Sequence, residues 1–135
     1  MTTPPPPPSP STDPFWDGIA AAELRLPYCA SCDEWDWYPL AGVPHRCGRE
    51  LAWRAVAPTG TVYATTTVRR PFLPGASRED VPLTTALVEL DDAPGVRLVA
   101  RFARGDEPRI GDRVRGRFES ARGRPDLRFE TCGAG

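Results

Sequence analysis

Cys29-Ala30-Ser31-Cys32, followed fifteen positions later by Cys47-Gly48, is the stretch whose residue types and spacing could do chemistry. A Cys-x-x-Cys pair with a second Cys knuckle at this distance is the spacing of a zinc ribbon. In such a site thiolates stand at the corners of a tetrahedron, about 2.3 Å from the metal. A complete second knuckle would read Cys-x-x-Cys-Gly, whereas this chain reads Pro44-His45-Arg46-Cys47-Gly48. His45, the one histidine, is the expected fourth ligand beside Cys29, Cys32 and Cys47. An imidazole reaches farther than a thiolate, so the one-residue offset from Pro44 can be absorbed. Cys132 reaching in, or a metal-free remnant of a ribbon, are the alternatives. With no export signal at the N-terminus, four Cys suggest reduced thiols and metal in a cytoplasmic protein rather than disulfides.

No catalytic residue is assigned. All seventeen basic residues are Arg, which removes Schiff-base and lysine general-base chemistry. General acid–base or nucleophilic work wants a His or Lys beside a nucleophile, and the one histidine sits in the knuckle. The paired acids Asp33-Glu34 and Asp91-Asp92 fall in turns, where carboxylates are usually solvated. Arg69-Arg70 and the run Arg113, Arg115, Arg117, Arg122, Arg124, Arg128 suit acidic partner residues or phosphates. Eighteen acids nevertheless balance the arginines, for a net charge of −1, which is not the basic footprint of a nucleic-acid binder. Single-stranded nucleic-acid binding is therefore kept only as a rival function. Trp35, Trp37, Tyr38 and Trp53 crowd the ribbon, either packing it against a neighbour or serving as anchors for a partner. The same pair of readings applies to Phe15-Trp16.

The elements that must position these residues follow from patterning. Residues 1–12 hold six prolines and almost nothing apolar, which predicts a disordered or polyproline-II tail. Asp13-Pro14 is a helix start, with Asp as N-cap and Pro at the first helical position. A short helix is expected over 13–26, ending before Pro27. Residues 27–53 form the ribbon module, with strands at Trp35–Pro39 and Leu51–Trp53. From 54 to 131 the pattern is all β. Strands are expected at Gly60–Val68, Thr84–Leu90, Val96–Phe102, Arg113–Glu119 and Leu127–Phe129, with a hairpin loop at Asp91–Gly95. In the third of these, Val96, Leu98, Ala100 and Phe102 share one face. The fold class is an all-β OB-fold barrel preceded by a short helix and a degenerate zinc ribbon, with a loose β-sandwich as the alternative. The long Val68–Leu83 loop is of a kind that carries contacts, and no apolar run is long enough for a membrane span.

Pro14-Phe15-Trp16-Asp17-Gly18, Leu26-Pro27-Tyr28-Cys29-Ala30-Ser31-Cys32, Tyr38-Pro39, Cys47-Gly48 and Gly60-Thr61-Val62-Tyr63 resemble, in order, one family. Ala86-Leu87-Val88-Glu89-Leu90, Gly95-Val96-Arg97-Leu98 and Ile110-Gly111-Asp112-Arg113-Val114 continue the resemblance to about Glu130. It is the family of small zinc-ribbon/OB-fold proteins, domain of unknown function thirty-five, that accompany thiolase-fold enzymes and acyl-CoA hydratases. The departure is Pro44, where the family usually has a third Cys. The resemblance implies a non-catalytic, cytoplasmic subunit of a thiolase-fold enzyme in lipid metabolism, similar to the partner domain of a steroid side-chain aldolase complex. It would meet acyl-CoA only through that complex and bind neither nucleic acid nor membrane. The expected contacts to partner or acyl-CoA are Phe15, Trp16, Trp35, Trp37, Arg69, Arg70 and Phe72. A stand-alone acyl-CoA-binding protein is the other alternative.

Overall fold

The computed structural model describes residues 12–38, 46–72, 74–75, 77–103, 105–121 and 123–132. The expected proline-rich tail, apart from Thr12, and His45 lie outside them.

The chain opens with helix α1 (Asp13–Ala20). Thr12, not Asp13, is the N-cap residue, and its carbonyl accepts the Phe15 and Trp16 N–H groups at 3.0 and 3.2 Å. The helix is shorter than expected and stops well before Pro27. Ala22 adopts φ 60°. Its N–H bonds the Ile19 carbonyl at 3.1 Å, and the Glu23 N–H bonds that of Gly18 at 2.8 Å. These two bonds are a Schellman closure built on alanine. Beyond it Leu24–Cys29 is not helix but strand β1. The helical propensity of Ala20-Ala21-Ala22 loses here to burial, because Leu24 and Leu26 point the same way only in an extended chain.

β1 is the centre of a three-stranded antiparallel sheet. It pairs with β2 (Glu34–Trp35) on one edge and β3 (Ala52–Val56) on the other. The remaining strands, β4 (Thr59–Val68), β5 (Leu83–Leu90), β6 (Arg97–Arg101), β7 (Arg113–Ala121) and β8 (Arg124–Thr131), form one antiparallel sheet in the order β6-β5-β4-β7-β8. Alternation sets its inner face: Thr84, Ala86, Val88 and Leu90 on β5 and Leu98 and Ala100 on β6 are buried. The sheet curls until its edge strands meet, the partly open form of an OB barrel. No ladder joins β6 to β8 among the described residues. Their seam holds one parallel bridge, Phe102 to Phe129, and an ion pair between Arg101 and the buried Asp126.

Ile19, Leu24 and Leu26 belong to the same buried cluster as Val62, Val88, Phe102 and Phe129. Helix, ribbon strand and barrel therefore share one core. No helix among the described residues is long and apolar enough to cross a membrane.

Curling depends on β4. Its register with β5 shifts between Val62 and Ala64, a bulge at Tyr63 that bends the strand. Just before the bulge the strands press together at Gly60. A Cβ there would stand 2.2 Å from the Glu89 carbonyl oxygen and 2.8 Å from Val88 Cγ1. Gly60→Ala should lower the unfolding free energy by about 1–3 kcal/mol, as overpacking does. Ala22→Gly should raise it by about 1 kcal/mol by removing the left-handed alanine. Urea titrations followed by far-UV circular dichroism check both; an unmoved midpoint for Gly60→Ala would contradict the close approach.

Candidate functional site

The metal-ligating residues come together through turn geometry. Cys29 ends β1 and pairs across to Glu34, so Ala30–Asp33 is the hairpin turn that carries Cys32. The turn closes at Asp33 with φ 55°. The second knuckle does the same with Gly48 at φ 81°, directly after Cys47. Arg46 pairs with Glu34 and ties the second knuckle to the first. The Sγ atoms of Cys29, Cys32 and Cys47 all lie within 4.8 Å of one another, and those of Cys29 and Cys47 are 3.4 Å apart.

A tetrahedral zinc site with Zn–S of about 2.3 Å needs sulfurs about 3.8 Å apart, so three of its corners fit this cluster. Cys29 is buried, Cys32 half-buried and Cys47 exposed. Without a cation Cys32 keeps its proton. The Cys32 thiol is pushed up to about 11, first by its hydrogen bond with Cys47, then by burial and by Cys29. A cation would reverse that, since metal ligation deprotonates thiols. Cys132 does not reach in. It follows the end of β8, exposed, with its N–H on the Arg113 carbonyl at 2.8 Å. His45 lies outside the described residues.

The aromatic candidates divide. Phe15 and Trp16 meet edge to face at 5.1 Å, Phe15 lies 5.5 Å from Trp37, and Trp37 lies 4.5 Å from Tyr38. This chain of rings docks the head of α1 on the segment after β2. Trp35 instead meets Tyr28 at 4.9 Å, and the Arg54 guanidinium covers the Tyr28 ring at 3.8 Å. Phe15, Trp16, Trp35 and Trp37 are all half-buried against the core, so packing accounts for much of their surface. Arg69, Arg70 and Phe72 lie apart from them beyond the end of β4. All three are exposed, Phe72 at 72%.

The basic run on β7 and β8 is mostly neutralised. Arg115 and Arg117 share Glu130 at 2.9 and 3.4 Å, and Arg128 Nε lies 3.2 Å from Glu119. The two guanidiniums hold the Glu130 carboxyl below its ordinary range, the Arg115 hydrogen bond most of all. Arg113 bonds Asp91 at 2.8 Å, and that hydrogen bond lowers the Asp91 carboxyl likewise. These arginines are a ladder of ion pairs across strands, not an open phosphate site.

The Asp91-Asp92 pair is also engaged rather than simply solvated. Asp91 N–H bonds the Thr59 carbonyl at 3.0 Å, and Asp92 accepts the Ala57 N–H at 3.0 Å. Together they pin the β5–β6 hairpin beside the ribbon. A cleft of about 590 Å³ lies between them, walled by Tyr28, Trp35, Trp37, Asp33, Glu34, Arg54 and the hairpin tip. Sequence reasoning missed it, because its two walls are far apart in the chain. The crowding of Trp and Tyr near the knuckles was the one available signal.

Residues 53–119 match the family model of the ChsH2 C-terminal OB-fold domain. A solved structure, the Ltp2-ChsH2(DUF35) aldolase, contains a chain 25% identical to this one with a TM-score of 0.74. That alignment covers 93% of this chain and 97% of the other. No curated protein matches the sequence significantly. Barrel order, ribbon and both matches agree: residues 53–119 match a ChsH2-type OB-fold domain, and the chain as a whole is similar to a chain of the Ltp2-ChsH2(DUF35) aldolase.

Proposed function

We propose that this chain is a non-catalytic accessory subunit of a thiolase-fold, lipid-transfer-protein-like enzyme that acts on an acyl-CoA. The end-to-end likeness to a chain of the Ltp2-ChsH2(DUF35) aldolase carries this reading. The residue inventory supports it: there is no Lys, and the one His is adjacent to the ligand knuckle. The substrate would be a steroid side-chain thioester or another bulky acyl-CoA. The partner's residues would perform the retro-aldol or acyl-transfer chemistry in the cytoplasm. Arg69, Arg70 and Phe72 would contact the partner or its acyl-CoA entrance, since this exposed group combines guanidinium charge with an apolar ring. Phe15, Trp16, Trp35 and Trp37 would contribute whatever ring edges remain uncovered by their own packing.

The structural metal would be zinc, held by Cys29, Cys32 and Cys47 with His45 as the fourth ligand. Thiolate-rich donors suit this ion, and it would fasten the two knuckles rather than do chemistry.

Two sets of measurements bear on these assignments, one for the partner and one for the metal. Size-exclusion chromatography with the thiolase-fold enzyme encoded beside this chain should give one complex, while the isolated chain turns over no CoA thioester. Phe72→Ala should weaken that complex by more than about 1 kcal/mol with an unchanged melting temperature. Two separate peaks and unaltered enzyme kinetics would reject the accessory role in favour of free acyl-CoA binding. For the metal, elemental analysis should find about one zinc per chain. A thiol reagent should then reach only Cys132 in native protein and all four cysteines after chelation. Absence of metal in protein purified without chelator would reject the site.

A further inference from the structure

Apart from the ring edges of Trp35 and Trp37, the cleft between the ribbon sheet and the β5–β6 hairpin has no part in the assignments above. Its volume of about 590 Å³ falls within the range of ligand sites, about 300–1,000 Å³. Its walls combine aromatic rings, carboxylates and one guanidinium, that of Arg54. Tyr28, Trp35 and Trp37 supply aromatic rings, and Asp33 and Glu34 supply carboxylates. Ring faces and carboxylates together are what a guanidinium seeks, because it stacks flat on the first and forks onto the second.

The chain itself demonstrates this chemistry twice at the cleft. Arg54 lies 3.8 Å over the Tyr28 ring, and Arg46 pairs with Glu34. What remains is the Asp33 carboxylate, exposed and without an ion pair or hydrogen bond among the described residues, and the Trp35 and Trp37 rings beside it. An acyl chain fits poorly, since it would strip water from the carboxylates and return no hydrogen bond. An anion would meet the Asp33 carboxylate, while the Arg54 guanidinium of the lining is already stacked on Tyr28.

We propose that this cleft receives an arginine on an extended segment of the partner protein, its guanidinium between Asp33 and the tryptophan rings. The proposal rests on the accessory-subunit reading for the source of that segment. The cleft's preference for a guanidinium does not depend on it.

The test uses the full chain and its Asp33→Asn variant. Asparagine tolerates the left-handed backbone at this position, so the turn is kept and only the charge is lost. The probes are the blocked tripeptides acetyl-Gly-Arg-Gly-amide and acetyl-Gly-Glu-Gly-amide, read by tryptophan fluorescence. The arginine peptide should give a saturable change and the glutamate peptide none, with Asp33→Asn weakening the response about tenfold or more. Affinity for the partner enzyme should fall by a similar factor, with an unchanged melting temperature. Arginine-peptide binding without any partner complex would leave the cleft's chemistry standing and sink the accessory reading. A partner complex of equal strength with Asp33→Asn, together with silent peptides, would overturn the cleft while leaving the accessory reading intact. Self-association that Asp33→Asn abolishes would overturn the proposal by assigning the cleft to a second copy.

Discussion

Leu24 and Leu26, at 1% and 0% exposure, are the residues on which the remaining architecture depends. A ribbon of three short strands has too little interior to hold itself together. It is held because these two side chains leave it and join the barrel's core beside Val62, Val88 and Phe129. Burying a leucine contributes about 1.5–3 kcal/mol, so the pair amounts to a sizeable share of a small domain's margin. Fixing β1 in this way places Cys29 at its end, sets β2 and β3 along its edges, and turns the aromatic side of the ribbon toward the hairpin. Both the thiol cluster and the cleft inherit their geometry from this attachment.

Much of the barrel was legible in the chain. Val96, Leu98, Ala100 and Phe102 were expected on one face, and all four are buried. The hairpin loop at Asp91–Gly95 lies where its turn residues put it. The thiol cluster was legible for a different reason: a turn of fixed size between two cysteines leaves little freedom in where their sulfurs go. The error at residues 21–26 is instructive. Ala-Ala-Glu-Leu is good helical sequence, and Leu26 continues the apolar stripe of α1, so local preference and a 3.6-residue period agreed on the wrong answer. Only the barrel, distant in sequence, offers Leu24 and Leu26 a place to be buried as a strand pair.

The other illegible features share that cause. Arg115 and Glu130 are 15 residues apart, and nothing short of the β7–β8 register shows that they face each other. Read along the chain, the arginines of β7 and β8 form a basic run; read across the sheet, they are largely compensated by Glu119 and Glu130. The same crossing of distant segments makes Asp91 and Asp92 braces for the hairpin instead of solvated turn residues. Charge bookkeeping on a β protein therefore says little about its electrostatic surface until the register is known.

The seam between β6 and β8 gives the barrel an uneven compliance. Elsewhere neighbouring strands are riveted by backbone ladders, so sliding one past the next breaks several hydrogen bonds at once. Across the seam the fasteners are mostly side chains: the Arg101–Asp126 pair and the rings of Phe102 and Phe129, 6.4 Å between centroids, around a single bridge. Side chains can re-aim where ladders cannot. Among the described residues this seam is the one place in the barrel where side chains rather than a ladder set the distance between strands, and β6, which forms one side of it, follows directly on the hairpin tip that walls the cleft.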